Sequence, residues 1–223
     1  MSVRAAIRNA DSEWKKKWWR LHHDILSIGA STIFDMFLQF VEWKREPDKK
    51  FYAPRRYRLH PVVNHMQDLA DHKIKVLGIS MPPGAGKSTL ALFYLTWVAG
   101  RNPEKTILTG SHSNSWIRGA YEECLRILDP KGDYLWKKVF PLIPVANTNA
   151  KDCLIDLGKK KRFASLEFTS VGSSNAGLYR ASELLYCDDL IPGIEVAMSK
   201  ERLDKLWDVY TTDLRQRKIG HAV

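Results

Sequence analysis

Two short stretches carry most of the chemistry this chain can do. The first is Met81-Pro82-Pro83-Gly84-Ala85-Gly86-Lys87-Ser88-Thr89. A tight glycine-containing turn that opens a helix aims main-chain N–H groups at an anion, with the helix N-terminus behind them. Gly84 and Gly86 let the backbone approach closely, Lys87 can reach phosphate oxygens, and the Ser88 hydroxyl suits Mg²⁺. Pro83, Gly84, Ala85, Gly86, Lys87, Ser88 and Thr89 are therefore the expected nucleotide-binding residues, with ATP and Mg²⁺ as the implied cofactors. The match to the full phosphate-loop pattern is imperfect, because Met81 stands where its first glycine belongs. A bare Gly-Lys followed by Ser or Thr arises by chance in roughly one chain of this size in ten. The weight comes from context: an apolar run immediately before and a helical pattern immediately after.

The second stretch is Leu184-Leu185-Tyr186-Cys187-Asp188-Asp189, about 100 residues further on. A phosphate-loop enzyme needs a carboxylate at the end of a neighbouring buried strand, and this run ends in two. Asp188 is the expected magnesium-side carboxylate, and Asp189 the group that orients or deprotonates the attacking water. Two aspartates can also merely close a strand and open a loop. Following the glycine loop in this order, they favour the catalytic reading.

The elements that must position these residues follow from periodicity. Ile74–Ser80 reads as a strand, Lys87 to about Ala99 as a helix ended by Gly100, and Thr106–Gly110 as a second strand. A helix is expected near Ser113–Leu128. Cys153–Leu157 and Phe163–Val171 suggest a hairpin with Gly158-Lys159-Lys160-Lys161 at its tip. Leu184–Cys187 is a short strand, and a long polar helix runs from about Met198 to Arg217. Strands alternating with helices predict an α/β fold: a mainly parallel, Rossmann-like sheet of the phosphate-loop NTPase type, covered by helices on both faces. Residues 1–56 form a helical, basic segment and linker ahead of the main domain at 57–223. Trp14, Trp18 and Leu21 share one helical face, a second helix runs over about Ser31–Lys44, and Glu46–Tyr57 reads as the linker.

Composition bounds the partners. The 223 residues carry 35 Lys and Arg against 25 Asp and Glu, a formal charge of +10, and residues 1–60 hold +6 of it. Such a balance favours a polyanion, nucleic acid ahead of membrane. The most apolar early stretch, Ile25–Val41, is too short and too polar for a membrane span. Three scattered cysteines give neither a disulfide framework nor a zinc spacing, which fits a reducing, cytosolic setting.

With both motifs placed, the chain from about Tyr57 onward resembles the ATPase domain of the large terminase subunit, the DNA-packaging motor of tailed phages. The resemblance rests on Arg58-Leu59-His60-Pro61, on Met81-Pro82-Pro83 leading into Gly86-Lys87-Ser88, and on Thr109-Gly110-Ser111. It rests most specifically on Gly172-Ser173-Ser174-Asn175-Ala176-Gly177-Leu178-Tyr179-Arg180-Ala181-Ser182-Glu183 running into Leu184–Asp189. The resemblance implies hydrolysis of ATP coupled to translocation of double-stranded DNA into a procapsid. It implies a homo-oligomeric ring at the portal (a monomer for the fragment alone), a small-subunit partner, and work in the host bacterial cytoplasm. Lys87 and Ser88 would bind phosphates and Mg²⁺, Asp188 the metal, and Asp189 would stand where the catalytic acid, often Glu, is found. Arg180 would match a loop arginine that reaches a neighbouring subunit's ATP. Three departures stand out: Gly84 replaces an arginine many members carry, Asp189 is one methylene shorter than Glu, and the chain stops before the coupling motif and nuclease domain. The expectation is thus an N-terminal fragment without nuclease activity.

Other readings compete. A different phosphate-loop enzyme is one, either a small-molecule kinase or a helicase-like remodeller. A nucleic-acid-binding scaffold with a vestigial nucleotide site is another. Of the remaining candidates, the Trp14–Arg20 helix favours packing over DNA contact, and Lys159–Arg162 favours solvation over phosphate contact. His22 and His23 are expected to be structural and Cys187 a buried thiol. Phe51–His60, with three arginines and two tyrosines, reads equally as a basic linker or as a surface for adenine or phosphate.

Overall fold

Ile107–Ser111 is apolar or small throughout and is buried along its whole length, as expected of a central strand. Around it the computed structural model describes residues 3–171 and 179–223, with side chains from residue 13 onward. In chain order the elements are α1 (Val3–Gly29), α2 (Phe34–Val41), α3 (Arg56–Ala70), α4 (Lys87–Arg101), β1 (Ile107–Ser111), α5 (Asn114–Leu128), α6 (Trp136–Val139), β2 (Val145–Asn149), β3 (Leu154–Leu157), β4 (Leu166–Ser170), β5 (Leu184–Cys187), α7 (Ile194–Ala197) and α8 (Lys200–Val209). The expected helix over Met198–Arg217 is divided, passing from α8 into a π turn at Tyr210–Leu214 and a 3₁₀ turn at Arg215–Arg217.

The expectation of a mainly parallel, Rossmann-like sheet is overturned. The sheet is mixed, in the order β2-β3-β4-β1-β5. Only β4, β1 and β5 run parallel, whereas β3 is antiparallel to both β2 and β4. Two causes are visible. The hairpin read from the sequence forms as β3–β4, and its antiparallel hand is carried into the sheet together with β2. The expected strand at Ile74–Ser80 does not form, and the segment joins no ladder. A cavity of about 230 Å³ is lined by Leu77, Ile79 and Met81 of this segment together with Leu184, Tyr186 and Asp188. On its outer edge β5 pairs instead with Val223, whose carbonyl accepts from Leu185 and whose N–H donates to Glu183.

The strand pleat divides the core in two. Ile107, Leu166, Phe168 and Leu184 face the large cluster built with α4 and α5, while Leu108 and Leu185 turn the other way, toward Leu214 and Tyr210. Helix α4 is buried from Leu90 to Gly100 and is therefore apolar on every side. It does not end at Gly100, as the sequence suggests. It continues to Arg101, and Gly100 is needed because the Phe140 ring lies 2.4 Å from where a Cβ would sit. Helix α2 is anchored to α4 by Phe34 and Phe37 against Trp97, so the N-terminal segment shares the main core. Nor is the expected linker slack. Buried Glu42 accepts the N–H groups of Phe51 and Tyr52, and the Tyr52 hydroxyl donates to Asp35 at 2.6 Å. No described helix is long and apolar enough to cross a membrane.

Candidate functional site

The glycine turn sits at the N-terminus of α4, held by a hydrogen bond from the Ala85 N–H to the Pro82 carbonyl. Gly84 and Gly86 have φ of 78° and 96°, a left-handed conformation that favours glycine. At Gly84 the surrounding space is open; at Gly86 a Cβ would meet the Phe51 ring at 2.5 Å. Its N-cap is Gly86, which has no side chain to accept from the first N–H groups of the helix. Pro83 lies in the turn, and Lys87, Ser88 and Thr89 form the first turn of the helix, all partly exposed.

Parallel pairing with β1 carries β5 to the same edge. The Asp188 N–H donates to the Gly110 carbonyl at 2.9 Å, which seats Asp188 at the carboxyl end of the parallel strands. In open α/β sheets that is where ligands bind. The Lys87 ammonium lies 2.6 Å from Asp188 Oδ1, and the Ser88 hydroxyl donates to Asp188 Oδ2 at 3.0 Å. Asp188 itself is only 4% exposed. A carboxylate this buried needs a cation or hydrogen-bond donors, and here it has both. The phenol of Tyr186, beside it on the same face of β5, is held above its usual pKa by burial and by the Asp188 charge. It therefore remains a donor at neutral pH. Cys187, expected to be buried, is only partly so, and desolvation pushes its thiol up to about 12.

Asp189 takes a different position. Its side chain is 69% exposed and its backbone is left-handed, with φ 44°. A non-glycine residue there is strained, so something must hold it. His112, one residue past β1, does so: its backbone N–H donates to the Asp189 carbonyl at 3.3 Å, and its ring Nδ1 donates to the same oxygen. Arg180 is not brought to the cluster. It lies ahead of β5, with its guanidinium 4.6 Å over the Phe163 ring and its N–H on Glu167. β5 separates it from Asp188, which at ~3.3 Å per residue is on the order of 15 Å. Residues 172–178, ahead of Arg180, lie outside the described residues.

Sequence reasoning singled out neither His112 nor the specific role of Phe51. Position was the available signal for His112, a polar residue immediately after an apolar strand that ends beside the acidic pair. Phe51 gave no such signal, because its contact with Gly86 is purely tertiary. The Lys159–Arg162 tip is more engaged than a solvated turn. Lys161 reaches the Pro103 carbonyl and Ser165, and Lys159 pairs with Glu104 at 3.3 Å. His22 and His23 pack against Trp43, a structural placement.

Hard oxygen donors from Ser88 and Asp188 suit Mg²⁺. Among the described residues no group of three or more His, Cys, Asp or Glu is arranged to hold a metal ion. Mg²⁺ characteristically takes one or two protein oxygens and completes its shell with phosphate and water, so the donor set fits an ion that arrives with a nucleotide. No family model matches the chain, and no curated protein matches it.

Proposed function

We propose that this chain is the ATPase domain of a DNA-packaging motor of the large-terminase type, working in the host bacterial cytoplasm at the procapsid portal. The observation that carries the nucleotide reading is the meeting of Lys87 and Ser88 on the two oxygens of Asp188, across 100 residues of sequence. The DNA and procapsid parts rest on the charge balance and on the motif resemblance.

The chain's own groups divide the work. Amides of the Gly84–Ser88 turn receive the β- and γ-phosphates, and Lys87 exchanges its contact with Asp188 for phosphate oxygens. Ser88 and Asp188 are the residues that would hold Mg²⁺, which when bound neutralises phosphate charge. Asp189, exposed at the mouth of the site, accepts a proton from water as the water oxygen attacks the γ-phosphorus and the bond to ADP breaks. Arg180, remote within its own chain, serves only a neighbouring subunit's nucleotide, which makes an isolated domain a slow ATPase.

The test is calorimetry with Mg-ATP. Lys87→Ala should weaken binding at least tenfold, the loss of about 1.4 kcal/mol or more expected from a charge-assisted contact. Asp189→Asn should bind normally and lose turnover. Unchanged affinity in Lys87→Ala would remove the nucleotide reading, and unchanged turnover in Asp189→Asn would reassign the base.

A further inference from the structure

Helix α1 leaves its most apolar stripe largely uncovered, with Trp18, Leu21 and Ile25 also edging a groove beside Met36 and Gln39 of α2. Trp14, Trp18, Leu21, Ile25 and Ile28 are 65%, 47%, 60%, 49% and 80% exposed. Their spacing of 4, 3, 4 and 3 residues forms an unbroken heptad seam, the pattern that a second helix fills. The core does not need this face, because the opposite side of α1 already supplies it. Leu26 and Ala30 are buried, Trp19 packs edge-on to Trp43 at 5.0 Å, and His23 lies on Phe40. Trp14, Trp18 and Leu21 do share a face, as the periodicity predicts, but most of it is left in solvent rather than packed in the core.

We infer that this seam pairs with the same seam of a second copy of the chain, the two α1 helices running antiparallel. Three observations select that occupant. Residue size falls along the stripe, from tryptophans at one end to isoleucines at the other. Antiparallel pairing sets Trp14 near Ile28 and Trp18 near Ile25, with Leu21 close to its own copy. Charge runs the same way: Lys15, Lys17 and Arg20 are exposed on the flanks of the tryptophans, Lys16 being turned to Glu13 at 3.3 Å, and Asp24 is exposed beside the isoleucines. A parallel pair would juxtapose the two basic clusters, whereas the antiparallel pair brings Lys17 toward Asp24 of the other copy. Area agrees as well. The stripe exposes on the order of 600 Å² per chain, so two copies would bury about 1,200 Å², the lower bound for a specific interface. The contact is two-fold and self-complementary. It is therefore separate from the head-to-tail contacts of a ring and independent of the nucleotide site.

Sedimentation velocity on the full chain, from about 1 to 100 µM, tests it, a range that reaches the weak affinities open to an interface at the lower size limit. Wild type should shift from monomer to dimer, and Ile25→Lys should raise the dissociation constant at least tenfold with an unchanged thermal melt, because Ile25 is exposed. Orientation is read by oxidation: Leu21→Cys should form a disulfide-linked dimer readily and Trp14→Cys should not. A wild type that stays monomeric throughout overturns the proposal, as does a dimer indifferent to Ile25→Lys. Efficient cross-linking of Trp14→Cys overturns the antiparallel arrangement. Loss of duplex DNA binding in Ile25→Lys, with wild type monomeric, would reassign the face to nucleic acid.

Discussion

Asp189 holds a backbone conformation that costs on the order of 1–3 kcal/mol for a residue with a Cβ. His112 is the group that restrains it, through two donors on one carbonyl oxygen. If the chain works as proposed above, removing the ring should therefore act on the position of Asp189 rather than on the glycine turn. His112→Ala is expected to lower kcat about tenfold, the equivalent of one hydrogen bond, while leaving KM for ATP within twofold. His112→Asn keeps an N–H donor and should recover part of the loss. A rise in KM of equal size would place His112 in binding instead. A second residue-scale effect comes from Glu167, buried in β4, where burial pushes its carboxyl up to about 7 although the N–H groups of Ala164 and Arg180 donate to it. The folded state thus holds this proton more tightly than the unfolded chain. Its contribution to stability is complete below about 4.5 and is lost as pH rises through 7. Urea unfolding should show wild-type stability falling by up to about 3 kcal/mol across that window. In Glu167→Gln the fall should vanish.

At the scale of elements, the glycine turn offers a comparison that separates strain from collision. Gly84→Ala meets only the left-handed backbone, because nothing lies within 4 Å of the added Cβ. It should cost about 1 kcal/mol. Gly86→Ala meets the same backbone and also the Phe51 ring, whose main chain is fixed by Glu42. It should cost at least ~1 kcal/mol more and weaken ATP binding, since the turn can relieve the clash only by moving; thermal melts of the two variants check the order. Elements of this kind were unequally legible. α4, α5, β1, β5 and the β3–β4 hairpin follow from local periodicity, and the meeting of Lys87, Ser88 and Asp188 follows from motif order. The ladder status of Ile74–Ser80 did not, because an extended apolar run becomes a strand only when a neighbouring edge is within hydrogen-bonding reach. β2 was invisible for a different reason. Val145-Ala146-Asn147-Thr148-Asn149 is mostly exposed and rich in residues with weak strand preference, so only its pairing with β3 defines it.

For the whole molecule, the question is whether the charge of +10 serves DNA or only solubility. The two differ in how binding responds to salt. Contacts with phosphate release counterions, so the logarithm of the binding constant falls linearly with the logarithm of salt concentration, by about 0.9 per contact. A domain making about five such contacts should lose roughly 10²–10³ in duplex affinity between 50 and 200 mM salt. Reversing two exposed charges of α1, with Lys16→Glu and Lys17→Glu together, should then reduce the slope by about 2 if that helix lies along the backbone. The slope should stay unchanged if the basic residues of α1 only flank a helix pair, in which case the contacts belong elsewhere on the surface. A duplex affinity indifferent to salt would show that the positive balance is not used on nucleic acid. The translocation part of the functional proposal would then fail even with ATP hydrolysis intact.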